Sequence, residues 1–206
     1  MAEAQVIKDQ PVVIGPVVDT LRRMLGAARA AFNRHSRASL EELKNYQTIL
    51  AQELDKAIKQ VTPVGRISEA EKAQLFRLQS ILNHLQLIGE SIGALVNPIQ
   101  KKIKDGILFS DKAVTQTNHL FTLHAGMLRS VLDTISTDNE FLKKYMVQEG
   151  QSLLTACSEY ATEHEERMIE GLVLPQAAPI FLTMLKSMCV IGQQEVYIAG
   201  ILAKKA

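Results

Sequence analysis

Two short stretches of the chain concentrate the side chains that could do chemistry. Residues 83–96 read NHLQLIGESIGALV and offer His84 and Glu90. Residues 186–199 read KSMCVIGQQEVYIA and offer Cys189 and Gln193. Imidazole and carboxylate are both ligands for divalent ions, so His84 with Glu90 predicts at most one weak, water-exposed metal site. Cys189 is a thiol ligand for a soft metal by type, but with Cys157 it reads as a buried, reduced cysteine of a reducing compartment. His119 and His124 are five residues apart and share a helix face poorly. His164 sits in Glu163-His164-Glu165-Glu166, which predicts a solvated charged face. No catalytic constellation accompanies these residues. The chain lacks a Gly-rich phosphate loop, a Gly-x-Ser-x-Gly elbow, a Cys-x-x-Cys pair and the paired Glu-x-x-His of a di-iron bundle. It reads as a non-enzyme.

The elements that must position these residues are helical. The chain has 206 residues and 47% apolar content, with no Trp, six Phe and four Tyr. A core built from Leu, Ile, Ala and Met favours helices over sheets. Capping-box patterns occur at Ser39–Glu42, Ser68–Glu71 and Thr137–Glu140. Breaks fall at Thr62-Pro63-Val64-Gly65, at Lys104-Asp105-Gly106 and between Gly171 and Pro179. These marks predict helices over 16–34, 39–60, 69–104, 112–136, 138–170 and 178–204, the third disturbed at Asn97-Pro98.

Lys and Arg total 23 against 22 Asp and Glu, and a net charge of +1 gives no support to a nucleic-acid role. The opening MAEAQVIKDQ is unlike a signal peptide. The longest apolar run, 171–192, contains Pro175, Pro179 and Lys186 and is a poor membrane span. The expectation is a soluble cytoplasmic protein.

Helical periodicity places two glycines on buried stripes. Leu75, Leu78, Leu82, Leu85, Gly89, Ile92 and Val96 step by three and four, the rhythm of helices crossing at a shallow angle. Leu185, Cys189, Gly192, Val196 and Ala199 repeat it in the last helix. A glycine on such a stripe lets a neighbour approach closely. Gly89 and Gly192 are 103 residues apart, as are Met24-Leu25 and Met127-Leu128. Leu43-Lys44-Asn45-Tyr46 is echoed by Leu142-Lys143-Lys144-Tyr145 after 99 residues. Their common order predicts an internal duplication. The fold class is therefore all-α, two tandem three-helix bundles, with residues 1–15 as an N-terminal tail, 16–107 as the first bundle and 108–206 as the second.

At His84-Leu85-Gln86-Leu87-Ile88-Gly89-Glu90, and again at Ser187-Met188-Cys189-Val190-Ile191-Gly192-Gln193, the chain resembles the PhoU family of phosphate-uptake regulators. The family's domain is a duplicated three-helix bundle whose third and sixth helices carry a signature close to Asp-Leu-Glu-Arg-Ile-Gly-Asp. HEERMIEGLVLPQAAPIFLTMLK, residues 164–186, resembles the run into the family's last helix. The resemblance covers roughly residues 16–203.

The resemblance implies control of phosphate uptake by contact with a phosphate transporter or its sensor kinase, with membrane contact only through that partner. A homodimer is compatible with it. It also implies metal sites, because the Glu and final Asp of each signature lie one turn apart and can hold an ion together. Here those positions are Gln86 and Glu90, then Cys189 and Gln193, so one carboxylate of four remains. A neutral amide lacks the charge that offsets dehydration of a hard cation. The expectation is no resident cofactor, with a weakly held divalent or iron ion near His84 and Glu90 as the exception. The alternative function is metal binding or storage through residual ligands such as Glu90, Asp55 and Glu53. An unrelated helical adaptor is a third reading, which the duplication disfavours.

Overall fold

The computed structural model describes residues 10–62 and 68–204. Among them the chain is α-helical, with no strand. In chain order the helices are α1 (Gln10–Arg34), α2 (Arg37–Val61), α3 (Glu69–Ala94), α4 (Val96–Lys104), α5 (Asp111–Thr137), α6 (Glu140–Ile169) and α7 (Ala178–Ala203). The all-α expectation holds.

Three local expectations need correction. Helix α1 begins at Gln10, inside the stretch read as a tail, and runs through Pro16. An internal proline costs about 3 kcal/mol, but burying a Val or Ile side chain returns about 1.5–3 kcal/mol each. Val13 and Ile14 are both in the core, so packing wins. The carbonyl orphaned by Pro16 belongs to Val12, which is 73% exposed. Two caps also differ. Ser36 rather than Ser39 caps α2, accepting from the Ser39 amide at 3.1 Å. Asn139 rather than Thr137 caps α6, accepting from Phe141 at 2.8 Å, while Thr137 closes α5. Only the Ser68–Glu71 box forms as read, with both reciprocal bonds present. Finally, the break expected at Asn97-Pro98 falls at Leu95. Pro98 has no N–H for the carbonyl of Ala94, and its ring crowds the preceding turn, so the ladder parts upstream of the proline. Of the predicted break at 62–65, Thr62 is the C-cap of α2 and the rest lies outside the described residues.

Helices α1, α2 and α3 pack on one another, as do α5, α6 and α7. The two trios join chiefly through equivalent helices, α1 against α5 and α3 against α7. Like-with-like contact is what a two-fold arrangement of repeats produces. The buried apolar side chains of both halves merge into one continuous cluster.

The stripe predicted in α3 is the buried one throughout. A Cβ on Gly89 would collide with Leu50, and a Cβ on Gly192 would meet Leu153 in the same way. Leu50 and Leu153 are themselves 103 residues apart. One knob-in-glycine contact is thus built twice, and it carries the 103 spacing into the second helix of each trio. The 99-residue echo of Leu43–Tyr46 is off by one turn. At 103 residues the buried positions Leu40, Leu43, Leu50 and Leu54 fall on Lys143, Met146, Leu153 and Cys157, all buried.

Candidate functional site

Gln47, Ala51 and Asp55 recur every four residues on α2, and Gln86 and Glu90 do the same on α3, so each set shares one helical face. The two faces meet as walls of a groove of about 370 Å³ floored by Leu50, Leu54 and Gly89. The missing side chain at Gly89 lets Leu50 sink between the helices and keeps the walls close. Gln86 donates to Glu90 at 3.0 Å. Asp55 is paired with Lys59 of its own helix at 2.6 Å, and Glu53 with Lys56 at 3.9 Å. The five wall positions therefore supply two carboxylates, one of them already neutralised by an ammonium. At 103 residues the same positions are Gly150, Leu154 and Ser158 on α6 and Cys189 and Gln193 on α7. That set contains no carboxylate. Neither set fits a hard multinuclear cluster, which needs several converging anionic oxygens to replace its hydration. Among the described residues no three His, Cys, Asp or Glu side chains gather in a way that could hold a metal ion.

The structure does not bring His84 to Glu90. His84 turns to the α3–α7 interface, where Nδ1 lies 2.8 Å from Gln194 and the ring stacks on Tyr197 at 5.3 Å. Glu90 stays on the groove wall. His119 hydrogen-bonds to Tyr160 at 2.6 Å and His124 lies in the core, so the two histidines do part company. His164 corrects the expectation of a solvated face. It is 3% exposed, stacked on Phe181 at 4.2 Å, and neither ring nitrogen has a partner among the described residues. Burial, with help from Arg167, lowers its pKa and keeps it neutral. Its neighbouring carboxylates face outward while the imidazole packs inward, a division that a run of charges in sequence conceals. Cys157 is buried and Cys189 half-buried, both as free thiols. A hydrogen bond shared with Cys189, reinforced by burial, pushes the Cys157 thiol up and leaves Cys189 as the thiol that ionises first.

One polar pair escaped the sequence reading. His124 of α5 and Glu195 of α7 are both fully buried, with Nδ1 and a carboxylate oxygen 2.8 Å apart. Burial raises the pKa of Glu195, and the His124 contact opposes that shift. His124 Nε2 and the second Glu195 oxygen have no partner among the described residues. The signal was present. Met184, Met188, Ile191, Glu195, Ile198 and Leu202 step by four and three and are all buried, so α7 carries a second stripe with a carboxylate on it. Reading only the stripe through Gly192 put Cys189 and Val196, both half-buried, in its place.

No protein-family model matches the chain, and no curated protein matches it in sequence. Its structure matches the crystal structure of PhoU from Pseudomonas aeruginosa, with a TM-score of 0.83 over 98% of this chain and 95% of that one. Sequence identity is 13%. The chain has a PhoU-like fold.

Proposed function

We propose that this chain is a PhoU-like regulator of phosphate uptake, acting in the cytoplasm by contact with a phosphate transporter or its signalling kinase, and not as an enzyme. The observation that supports this most is the fold likeness over nearly the whole of both chains. Among the described residues no helix is long and apolar enough to cross a membrane. The α6–α7 turn also exposes Met168, Ile169, Leu172 and Leu174, with Leu108 beside them. A cluster of exposed large apolar residues is the kind of surface that a protein partner covers. The alternative, metal binding or storage, has weaker support, because the groove walls are poor in free carboxylates.

The test is genetic and biochemical. Deleting the gene in its host is expected to uncouple phosphate uptake and a phosphate-starvation reporter from phosphate supply. Restoring the wild-type chain is expected to reverse this, and restoring a folded Ile169→Asp, Leu172→Asp double variant is not. Phosphate control left intact by the deletion would overturn the reading.

A further inference from the structure

We infer that the groove between α1 and α5 is a binding site for a short oligophosphate chain. Arg22 and Arg29 of α1 and Arg129 of α5 line it, and none of its lining residues is acidic. Its volume is about 410 Å³. On α1 the spacing Arg22, Gly26, Arg29 puts the two guanidinium stems on one face with a glycine between them. On α5, Gly126 and Arg129 face the same groove. The site lies where the two halves meet through equivalent helices.

Two observations point to a ligand. The first is the charge. Arg22 is offset by Asp19 at 3.3 Å. Arg29 is held by the neutral side chain of Asn118 at 2.9 Å, itself braced by Asn33 at 2.8 Å. Arg129 has no ion pair or hydrogen bond among the described residues. Three guanidinium groups against the single carboxylate of Asp19 leave an excess of positive charge, which is matched by an anion that accepts paired hydrogen bonds. The second is the pair of glycines. A Cβ on Gly26 or Gly126 would meet nothing within 4 Å, so packing does not require either. Each sits inside a helix, where glycine costs about 1 kcal/mol against alanine. What the glycines provide is an open floor beneath the arginines.

Size and shape select the ligand. Arg22 and Arg29 are seven residues apart, about 10 Å along the helix. A single orthophosphate could touch both only by drawing Arg22 away from Asp19 and Arg29 away from Asn118, whereas a chain of two or three phosphates can run from one to the other where they stand. Phe121 lines the groove but is 1% exposed, so no aromatic face is offered for a nucleotide base to stack on. Recognition therefore rests on the phosphate chain and not on a base. The inference stands whether or not the chain regulates phosphate uptake.

Isothermal titration of the intact chain with tripolyphosphate at low salt tests it, with ATP and orthophosphate as comparison ligands. Tripolyphosphate is expected to bind at a one-to-one ratio, ATP no more tightly, and orthophosphate far more weakly. Arg129→Gln is expected to weaken tripolyphosphate by about tenfold, the scale of one lost charge-assisted hydrogen bond. Gly126→Leu is expected to abolish binding with an unfolding midpoint no lower than that of the wild type, because leucine is the better helix former. Arg37→Gln, at an exposed arginine outside the groove, is expected to leave affinity as it was. Absence of binding at millimolar tripolyphosphate would overturn the site. So would full affinity in Arg129→Gln, an equal loss in Arg37→Gln, or much tighter ATP, which would put recognition on the base.

Discussion

In the first half, Leu50 fills the space over Gly89; in the second, Leu153 fills the space over Gly192. A second contact between the same helix pairs is kept with its partners reversed. Gly93 of α3 receives Gln47 of α2, whereas Gly150 of α6 receives Val196 of α7, and each pair lies 103 residues from its counterpart. Close approach is retained although the glycine has changed helix. The polar positions are not retained. Leu21 and Ile92 are fully buried in the first half, and 103 residues on stand His124 and Glu195, equally buried. Leu54 and Gln86 correspond to Cys157 and Cys189. The comparison teaches that helix separation constrains a duplicated bundle more tightly than side-chain chemistry does. A lost knob leaves a cavity or a clash at once, while a polar substitution needs only a partner.

The largest expected effect comes from making the halves alike in part. His124→Leu restores the first-half residue but strands the Glu195 carboxyl, and breaking a buried pair this way costs about 3 kcal/mol or more. Adding Glu195→Ile completes the apolar set and is expected to recover most of that loss in urea unfolding, because hydrophobic replacement of a buried pair is often neutral or stabilising. A double variant as unstable as the single one would mean that the second half needs this pair for its packing.

Gly89→Leu and Gly192→Leu come next. Each overpacks a site filled by a leucine and is expected to cost about 1–3 kcal/mol, by similar amounts in the two halves. Denaturation midpoints decide, and a wild-type midpoint for either variant would break the equivalence.

A smaller effect separates the halves by pH. Lys102 of α4 is 3% exposed, donates to the Phe32 carbonyl at 3.0 Å and lies over the Phe32 ring. Burial lowers its pKa from 10.5 to about 8. Between these values the unfolded chain keeps a proton that the folded chain has shed, so this residue makes stability rise with pH from about 8 to 10.5. Glu195 acts with the opposite sign. Its raised pKa makes its contribution fall as pH climbs from 4.5 through the folded value. Thermal scans across pH are expected to lose the alkaline rise in Lys102→Met alone.

The packing frame was legible in the sequence because it depends on periodicity. The α3 stripe, the Gly89 and Gly192 positions and the all-helical class all follow from three-four spacing. Boundaries were less legible where tertiary burial overrode a local signal. Val13 and Ile14 carried α1 past Pro16, and Pro98 broke the ladder three residues ahead of itself. The candidate groove was half legible: Gln86, Glu90 and Asp55 were read, but Gln47 and Ala51 enter it through the α2–α3 packing, which no local pattern states. His164 and the His124–Glu195 pair were hidden for a related reason. A charged neighbourhood in sequence says nothing of which face a single residue presents to the core.

The central claim is that a PhoU-like scaffold here works without the metal clusters its resemblance implies. Elemental analysis after growth with added iron, zinc and manganese and mild purification tests this most directly. Glu90→Gln serves as the control at an exposed position, where stability is expected to change by less than about 0.5 kcal/mol. The account predicts far less than one ion per chain, with no difference between wild type and Glu90→Gln. About one or more tightly held ions per half, lost from the first half in Glu90→Gln, would contradict it.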